Sequence, residues 1–126
     1  MEARAVRKYI HGSPRKMRIV INAVRGQKVS DALSQLHYMP QAAARWVEAT
    51  IHSAVHNLVE RAVDERVDEE ELVIKSIAVD QGPMIKRFRP APRGRAHRIL
   101  KRMSHLSVVV ASPAVETKDE PVENHA

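Results

Sequence analysis

The segment LVIKSIAVDQGPMIKRFRPAPRGRAHRILKRMSHLSVVV, residues 72–110, places a basic, proline-broken stretch between two apolar runs. The runs at 72–79 and 100–110 are rich in β-branched residues, which favour β-strands. Residues 82–105 carry eight Lys or Arg and two His side chains, with no Asp or Glu. This order predicts one long β-hairpin, whose extended part lies at about 80–100.

The middle of this hairpin has too few apolar residues to form a core. Between Gly82 and Ala96 the strongly apolar side chains are Met84, Ile85 and Phe88. If the ribbon runs about ten residues beyond the sheet, at ~3.3 Å per residue it projects on the order of 30 Å. A solvated loop is the simpler interpretation, but such loops usually mix the two signs of charge. We therefore expect a projection that is poorly ordered alone and needs an anion on more than one side.

On the N-terminal side, SPRKMRIVINAVRG predicts a helix with both ends marked. Ser13 can cap it, Pro14 suits its first position, and Gly26 suits a left-handed stop. The spacing i, i+3, i+4, i+7 predicts a buried stripe of Met17, Val20, Ile21 and Val24. A second face carries Arg15, Arg18, Asn22 and Arg25.

Three further elements complete the predicted fold. Residues 3–10 read as a short strand, and a short helix opens at Ser30 and stops near Met39-Pro40. The longest helix starts at Pro40, with an apolar stripe of Ala44, Val47, Ile51, Ala54, Leu58 and Ala62. Residues 64–71 read as a solvated loop. The class is therefore α+β, with three helices, three strands and a long basic hairpin.

Length and charge set limits on the class of protein. A chain of 126 residues predicts one domain, 1–111, followed by an acidic disordered tail, 112–126. The net charge is +6, but the charges are unevenly distributed. Residues 1–30 have eight Lys or Arg and one acid, and residues 83–111 have eight and none. Residues 31–82 have four Lys or Arg and ten acids. Two basic segments that bracket an acidic middle predict a shared basic face for a polyanion.

Other features of the composition exclude several functions. The chain has no Cys, which excludes disulfides and thiolate zinc sites and suits the cytoplasm. No apolar run is long enough for a bilayer span. The sequence has no phosphate-cradling glycine loop and no nucleophile elbow, so we expect no enzyme activity and no cofactor. Glu48, His52 and His56 share a helix face, but without a fourth ligand we expect no metal site.

RNA fits the basic segments better than other polyanions. Arg outnumbers Lys six to two in 82–105, which favours bidentate phosphate recognition. Aromatic residues make up only 3% of the chain, so we expect recognition of RNA shape and backbone rather than base stacking. A DNA-architectural protein with paired β-ribbon arms is the alternative. Trp46 is either a core residue beside the apolar stripe or an anchor for a partner.

Three motifs resemble a known family. SPRKMRIVINAVRGQKV (13–29), VDQGPMIKRFRP (79–90) and GRAHRILKRMSHLSVVV (94–110) are similar to the bacterial form of the family of the twenty-second protein of the large ribosomal subunit. The similarity extends over roughly residues 8–110. It implies three helices packed on a three-stranded antiparallel sheet. It also implies that the hairpin passes through ribosomal RNA to the wall of the nascent-peptide exit tunnel, while the globular part stays at the subunit surface.

The resemblance gives residue-level expectations. We expect a structural component of the large ribosomal subunit that binds 23S rRNA, aids assembly, contacts neighbouring ribosomal proteins and the nascent polypeptide, and forms no homo-oligomer. Predicted rRNA contacts are Arg7, Lys8, Ser13, Arg15, Lys16, Arg18, Asn22, Arg25, Lys28, Lys86, Arg87, Arg89, Arg93, Arg95, Arg98, Lys101, Arg102, Ser104 and His105. The predicted tunnel tip comprises Lys86, Arg87, Phe88, Arg89, Pro90, Ala91, Pro92 and Arg93.

Overall fold

The computed structural model describes residues 2–62 and 69–112. Its elements in chain order are β1 (Glu2–His11), α1 (Pro14–Val24), α2 (Val29–His37), α3 (Ala43–Arg61), β2 (Val73–Pro90) and β3 (Ala96–Ala111), with 3-10 turns at Glu69–Glu71 and Pro92–Gly94. Residues 64–68 of the predicted solvated loop, 64–71, lie outside the described residues. The predicted disordered tail lies outside them from position 113, so the proposed domain limits stay a prediction.

The sheet has three antiparallel strands in the order β1-β3-β2, with the three helices on one face. Alternate β3 residues Leu106, Val108 and Val110 are fully buried against the helices, as the two-residue period of a strand requires. The predicted α+β class, with three helices on a three-stranded antiparallel sheet, is confirmed. In the described part of the chain, no helix is both long and apolar enough to cross a membrane.

Helix α1 agrees with its sequence pattern at both ends. All four predicted stripe residues are buried, and Gly26 has φ 77°, the left-handed conformation that glycine adopts without strain. Pro14 occupies the first helical position as predicted. Ser13 stands at the N-cap position, but its side chain makes no capping hydrogen bond. The predicted N-cap position is therefore confirmed, but the capping hydrogen bond of the Ser13 side chain is absent.

The junction between α2 and α3 differs from the sequence prediction. Helix α2 begins at Val29, one residue before Ser30, and α3 begins at Ala43 rather than Pro40. The guanidinium of Arg45 occupies the space at the end of α2. Its Nη2 donates to three carbonyls at 2.9–3.1 Å, those of Leu36, His37 and Met39, and its Nη1 donates to Glu48 at 2.9 Å. Arg45 thus adds a charged donor at carbonyls near the end of α2, of which that of Leu36 also accepts the Met39 N–H at 3.2 Å.

Replacing Arg45 with Met should lower the free energy of unfolding by roughly 1–2 kcal/mol, because the apolar stem remains while the carbonyls near the end of α2 lose their charged donor. Urea unfolding followed by circular dichroism measures the change. Arg61→Met on the same helix is the matched control, since the Arg61 guanidinium makes one long bond, 3.5 Å to the Glu2 carbonyl. Equal losses in the two variants would contradict a capping role for Arg45.

Strands β2 and β3 remain paired beyond the edge that β1 covers. Strand β1 pairs with β3 as far as Met103, whereas the β2–β3 ladder continues from Met84–Arg102 to Pro90–Ala96. This two-stranded ribbon, residues 84–102, extends about 20 Å before the turn, at ~3.3 Å per residue. The expected 30 Å is too long, because β1 covers more of the hairpin than the apolar pattern indicated.

Candidate nucleic-acid interface

The ribbon separates its like charges by pairing them with apolar residues. Reading across the ladder, each of five cations stands opposite an apolar side chain. The pairs are Met84–Arg102, Ile85–Lys101, Lys86–Leu100, Arg87–Ile99 and Phe88–Arg98. Directly opposed like charges destabilise a sheet, so this register removes the closest repulsions. The charge density found in the sequence is therefore compatible with a regular ladder.

Both faces of the ribbon carry cations. Because side chains alternate across a strand and directly paired residues share a face, one face holds Lys86, Arg98 and Arg102. The opposite face holds Arg87, Arg89 and Lys101. All six are exposed, and no carboxylate occurs in the ribbon. The ribbon can therefore contact anions on two sides at once.

The turn adds two more cations at the end. Arg93 has φ 63°, and Gly94 follows with φ 71°. The left-handed conformation costs a non-glycine residue roughly 1–2 kcal/mol. The Ala91 N–H closes the turn by donating to the Arg95 carbonyl at 2.7 Å. Arg93 and Arg95 are exposed, so both guanidinium groups are accessible at the tip.

The start of α1 brings the two basic segments together. A recess of about 400 Å³ is lined by Arg15 and Arg18 of α1 and by Arg102 of β3, together with Ser13, Pro14 and Gln81. The first turn of α1 has no acidic residue, although a helix N-terminus carries partial positive charge. Cations at that end are unfavourable without a counter-charge. The recess is therefore suited to a phosphate group.

A wider groove of about 630 Å³ lies beside this recess, between α1 and the ribbon. His11, Gly12, Ser13 and Lys16 form one side, and the other side is formed by Ile85, Arg87, Leu100, Lys101 and Arg102. Within the part of the chain that the structure describes, its lining contains no carboxylate. The groove extends the basic surface from the ribbon onto the globular part, and it could hold a nucleic-acid backbone.

Two predicted RNA ligands also stabilise the outer edge of the sheet. Arg18 Nη2 donates to the Val79 carbonyl at 3.0 Å, and Arg25 Nη1 donates to the Ile77 carbonyl at 2.7 Å. Strand β2 is an edge strand, and these carbonyls have no neighbouring strand on that side. The guanidinium groups therefore protect an exposed edge. The seven-residue spacing that puts both on one helix face is visible in the sequence, but their target is not.

Three predicted rRNA ligands have internal contacts. Ser104 is fully buried, and its hydroxyl donates to the Gly12 carbonyl at 2.8 Å, so it has a role inside the fold and its rRNA contact stays a prediction. His105 is half-buried, and its Nδ1 accepts the Tyr9 N–H at 3.1 Å, which leaves Nε2 as its other polar atom. The Arg7 guanidinium carbon lies 4.6 Å from the centroid of the Trp46 ring. The two-residue alternation of strand β3 could have identified Ser104 as a core position from the sequence.

The remaining predicted ligands on the globular part are exposed but not adjacent to the ribbon. Asn22 and Arg25 lie toward the far end of α1, about 12–17 Å from its start at 1.5 Å per residue, and Lys28 directly precedes α2. Lys8 lies in the irregular stretch of β1 between Arg7 and Ile10. These positions line neither the recess nor the groove.

Acidic side chains outside the ribbon and grooves pair with cations. Among the described residues, no cluster of His, Asp or Glu could hold a metal ion, and Glu48 is instead paired with Arg45. At the end of the sheet opposite the ribbon, Lys75 Nζ donates to Glu2 Oε2 at 2.6 Å. This hydrogen bond and the adjacent charge hold the Glu2 pKa below its usual value.

Comparison with known proteins shows similarity over nearly the whole fold. The family model described as ribosomal protein L22p/L17e matches residues 5–111. The large ribosomal subunit protein uL22 of Chloroflexus aggregans is 50% identical over 111 residues, which is 88% of this chain and 96% of that protein. Proteins with the same name from Syntrophobacter fumaroxidans and Chlorobaculum tepidum are 46% and 47% identical over 88% and 87% of this chain, covering 98% and 92% of their own lengths. The match to the family model covers both basic segments and every described strand and helix from residue 5 onward. The chain therefore belongs to the ribosomal protein L22p/L17e family.

Proposed function

We propose that this chain, a structural constituent of the large ribosomal subunit through its family membership, binds 23S rRNA with the ribbon and the start of α1. The family consists of ribosomal structural proteins, so the chain is not an enzyme. The single observation that carries the RNA-binding proposal is the ladder register. It fixes cations on both faces of one thin ribbon, and no acid occurs there.

Such a ribbon is suited to joining RNA helices that repel one another. A two-stranded ribbon is thin enough to enter a space between helices, and each phosphate that it neutralises releases counterion. The groove and the recess beside α1 continue the same surface onto the globular part. Binding of this kind orders RNA around the ribbon, which is how the protein aids subunit assembly in the cytoplasm. Neighbouring large-subunit proteins contact the remaining surface.

The tip of the ribbon is the part that lines the nascent-peptide exit tunnel in this proposal. It is the part of the ribbon farthest from the buried core, and it has a fixed turn with Arg93 in the left-handed conformation. Phe88 is 70% exposed beside it, so the tip offers one aromatic side chain among cations. A passing polypeptide would meet residues 86–93 transiently, without a binding pocket.

Sedimentation of the tagged chain from lysate tests the function. We expect the chain to sediment with large subunits in intact lysate and to move to the top of the gradient after ribonuclease treatment, because RNA phosphates hold it in the particle. The purified chain should be a monomer that prefers 23S rRNA to duplex DNA at equal salt. Co-sedimentation that survives complete RNA digestion would contradict an RNA-held position, and a DNA-bending dimer would point to the architectural alternative.

A further inference from the structure

A second, apolar groove continues from the basic one and contains the Trp46 side chain. This groove of about 400 Å³ lies between the end of β1, the start of α1 and the start of α3. Its apolar lining includes Met17, Ile19, Ala43 and Trp46, and its polar rim includes His11 and Lys16. Ile19 is 59% exposed, although it lies on a helix with a complete buried stripe elsewhere. Core packing therefore accounts for Met17, Ala43 and Trp46, but it does not account for the exposed Ile19.

The indole of Trp46 is oriented from one side and open on another. The Arg7 guanidinium carbon lies 4.6 Å from the ring centroid, and Trp46 packs at the margin of the core. Arg7 is not part of the groove lining, so the portion of the ring that lines the groove is not covered by that guanidinium. The ring therefore presents a fixed aromatic surface to whatever enters.

The groove is continuous with the cationic one. The two share His11, Gly12, Ser13 and Lys16, and the basic groove then runs on to Arg87 and Lys101 of the ribbon. Among the described residues, no carboxylate lines either groove. An apolar aromatic cavity beside a line of cations matches a nucleotide, whose base is flat and apolar on its faces and whose phosphate is anionic. An apolar side chain of a neighbouring protein would leave the adjoining cations without a counter-charge.

We infer that the Trp46 groove binds one unstacked nucleobase of the rRNA, stacked on the indole, while the adjoining cations hold the flanking phosphates. This inference rests on the proposed function and adds a base-stacking site to it. A groove of about 400 Å³ has room for a nucleobase. The low aromatic content argues against extended base stacking along the chain, and a single site is compatible with that composition.

Trp46 is the only tryptophan, so its fluorescence reports on this site alone. We expect titration of the full chain with a 23S rRNA transcript to quench the emission saturably, with the same midpoint as filter binding. Trp46→Leu keeps an apolar side chain but cannot stack, and it should weaken binding by roughly 5- to 100-fold, the cost of one lost base stack. Trp46→Phe should restore most of the affinity. Thermal unfolding of each variant shows whether the fold is retained.

The outcomes separate this inference from the function on which it rests. If the wild-type chain binds the transcript but its emission is unchanged and Trp46→Leu binds equally well, the base site is wrong while RNA binding stands. Emission that changes only when other large-subunit proteins are added would assign the groove to a protein neighbour and overturn the inference. If neither wild type nor variants bind the transcript, the proposed function itself fails. Should Trp46→Leu fail to fold, two measurements still decide the question: the quenching of the wild-type emission by the transcript, and the rRNA affinity of Trp46→Phe, which should stay near that of wild type.

Discussion

Reversing Arg93 and Arg95 to glutamate should weaken binding to 23S rRNA by roughly 100-fold while leaving the free energy of unfolding within about 0.5 kcal/mol of wild type. Each guanidinium is exposed at the turn, so each is available for a charge-assisted hydrogen bond to phosphate. Two such bonds at about 1.5 kcal/mol each give the 100-fold estimate. The backbone strain should not change, because glutamate at position 93 bears a Cβ in the same left-handed conformation.

The salt dependence of binding makes this prediction specific. Loss of two phosphate contacts should lower the slope of log affinity against log salt by about 2, since each contact contributes about 0.9. The control is Arg4→Glu with Arg61→Glu, which changes net charge by the same amount at exposed positions remote from the ribbon. Filter binding over a salt series measures both quantities. If the control pair loses as much affinity and slope as the tip pair, the effect comes from total charge and the tip is not a phosphate ligand.

The elements that the sequence predicted best are those set by short-range rules. The buried stripe of α1 follows from helical periodicity, and Gly26 follows from the need for a left-handed residue after the helix. The β-branched content of 72–79 and 100–110 correctly located the paired strands. Each of these features depends on residues within a few positions of one another. They could therefore be identified without knowledge of the tertiary structure.

Features that depend on long-range contacts could not be read from the sequence. Arg45 contacts the end of a different helix from its own, and α3 begins at Ala43 rather than at Pro40. Arg25 reaches an edge carbonyl 52 positions away. The basic residues of the ribbon looked mutually repulsive as a linear segment. Only the register of the ladder shows that each of five cations faces an apolar partner.

Removing the ribbon gives the largest expected effect and separates folding from binding. Gln81 and Ser104 are direct partners in the ladder, so an Asn-Gly turn can replace residues 82–103 and close the two strands. None of the buried hydrophobic residues lies within 82–103. We therefore expect the free energy of unfolding to stay within about 1 kcal/mol of wild type, because little apolar burial is lost. The same change removes eight cations, and rRNA affinity should fall by roughly 1000-fold or more.

A full-length ribbon with all eight cations changed to glutamine separates charge from shape. If the phosphate contacts determine affinity, this variant should bind rRNA as poorly as the truncated chain, and both should lose several units of salt slope. If it binds nearly as well as wild type, the ribbon is recognised by its shape and the electrostatic account is wrong. A truncated chain that unfolds in dilute buffer would show instead that the ribbon stabilises the core.

Hydrogen exchange along β2 and β3 of the wild-type chain, with and without rRNA, measures how far the ladder is stable alone. Because the ribbon buries no core residue, its amides should exchange faster than those of Leu106 and Val108 until RNA is added.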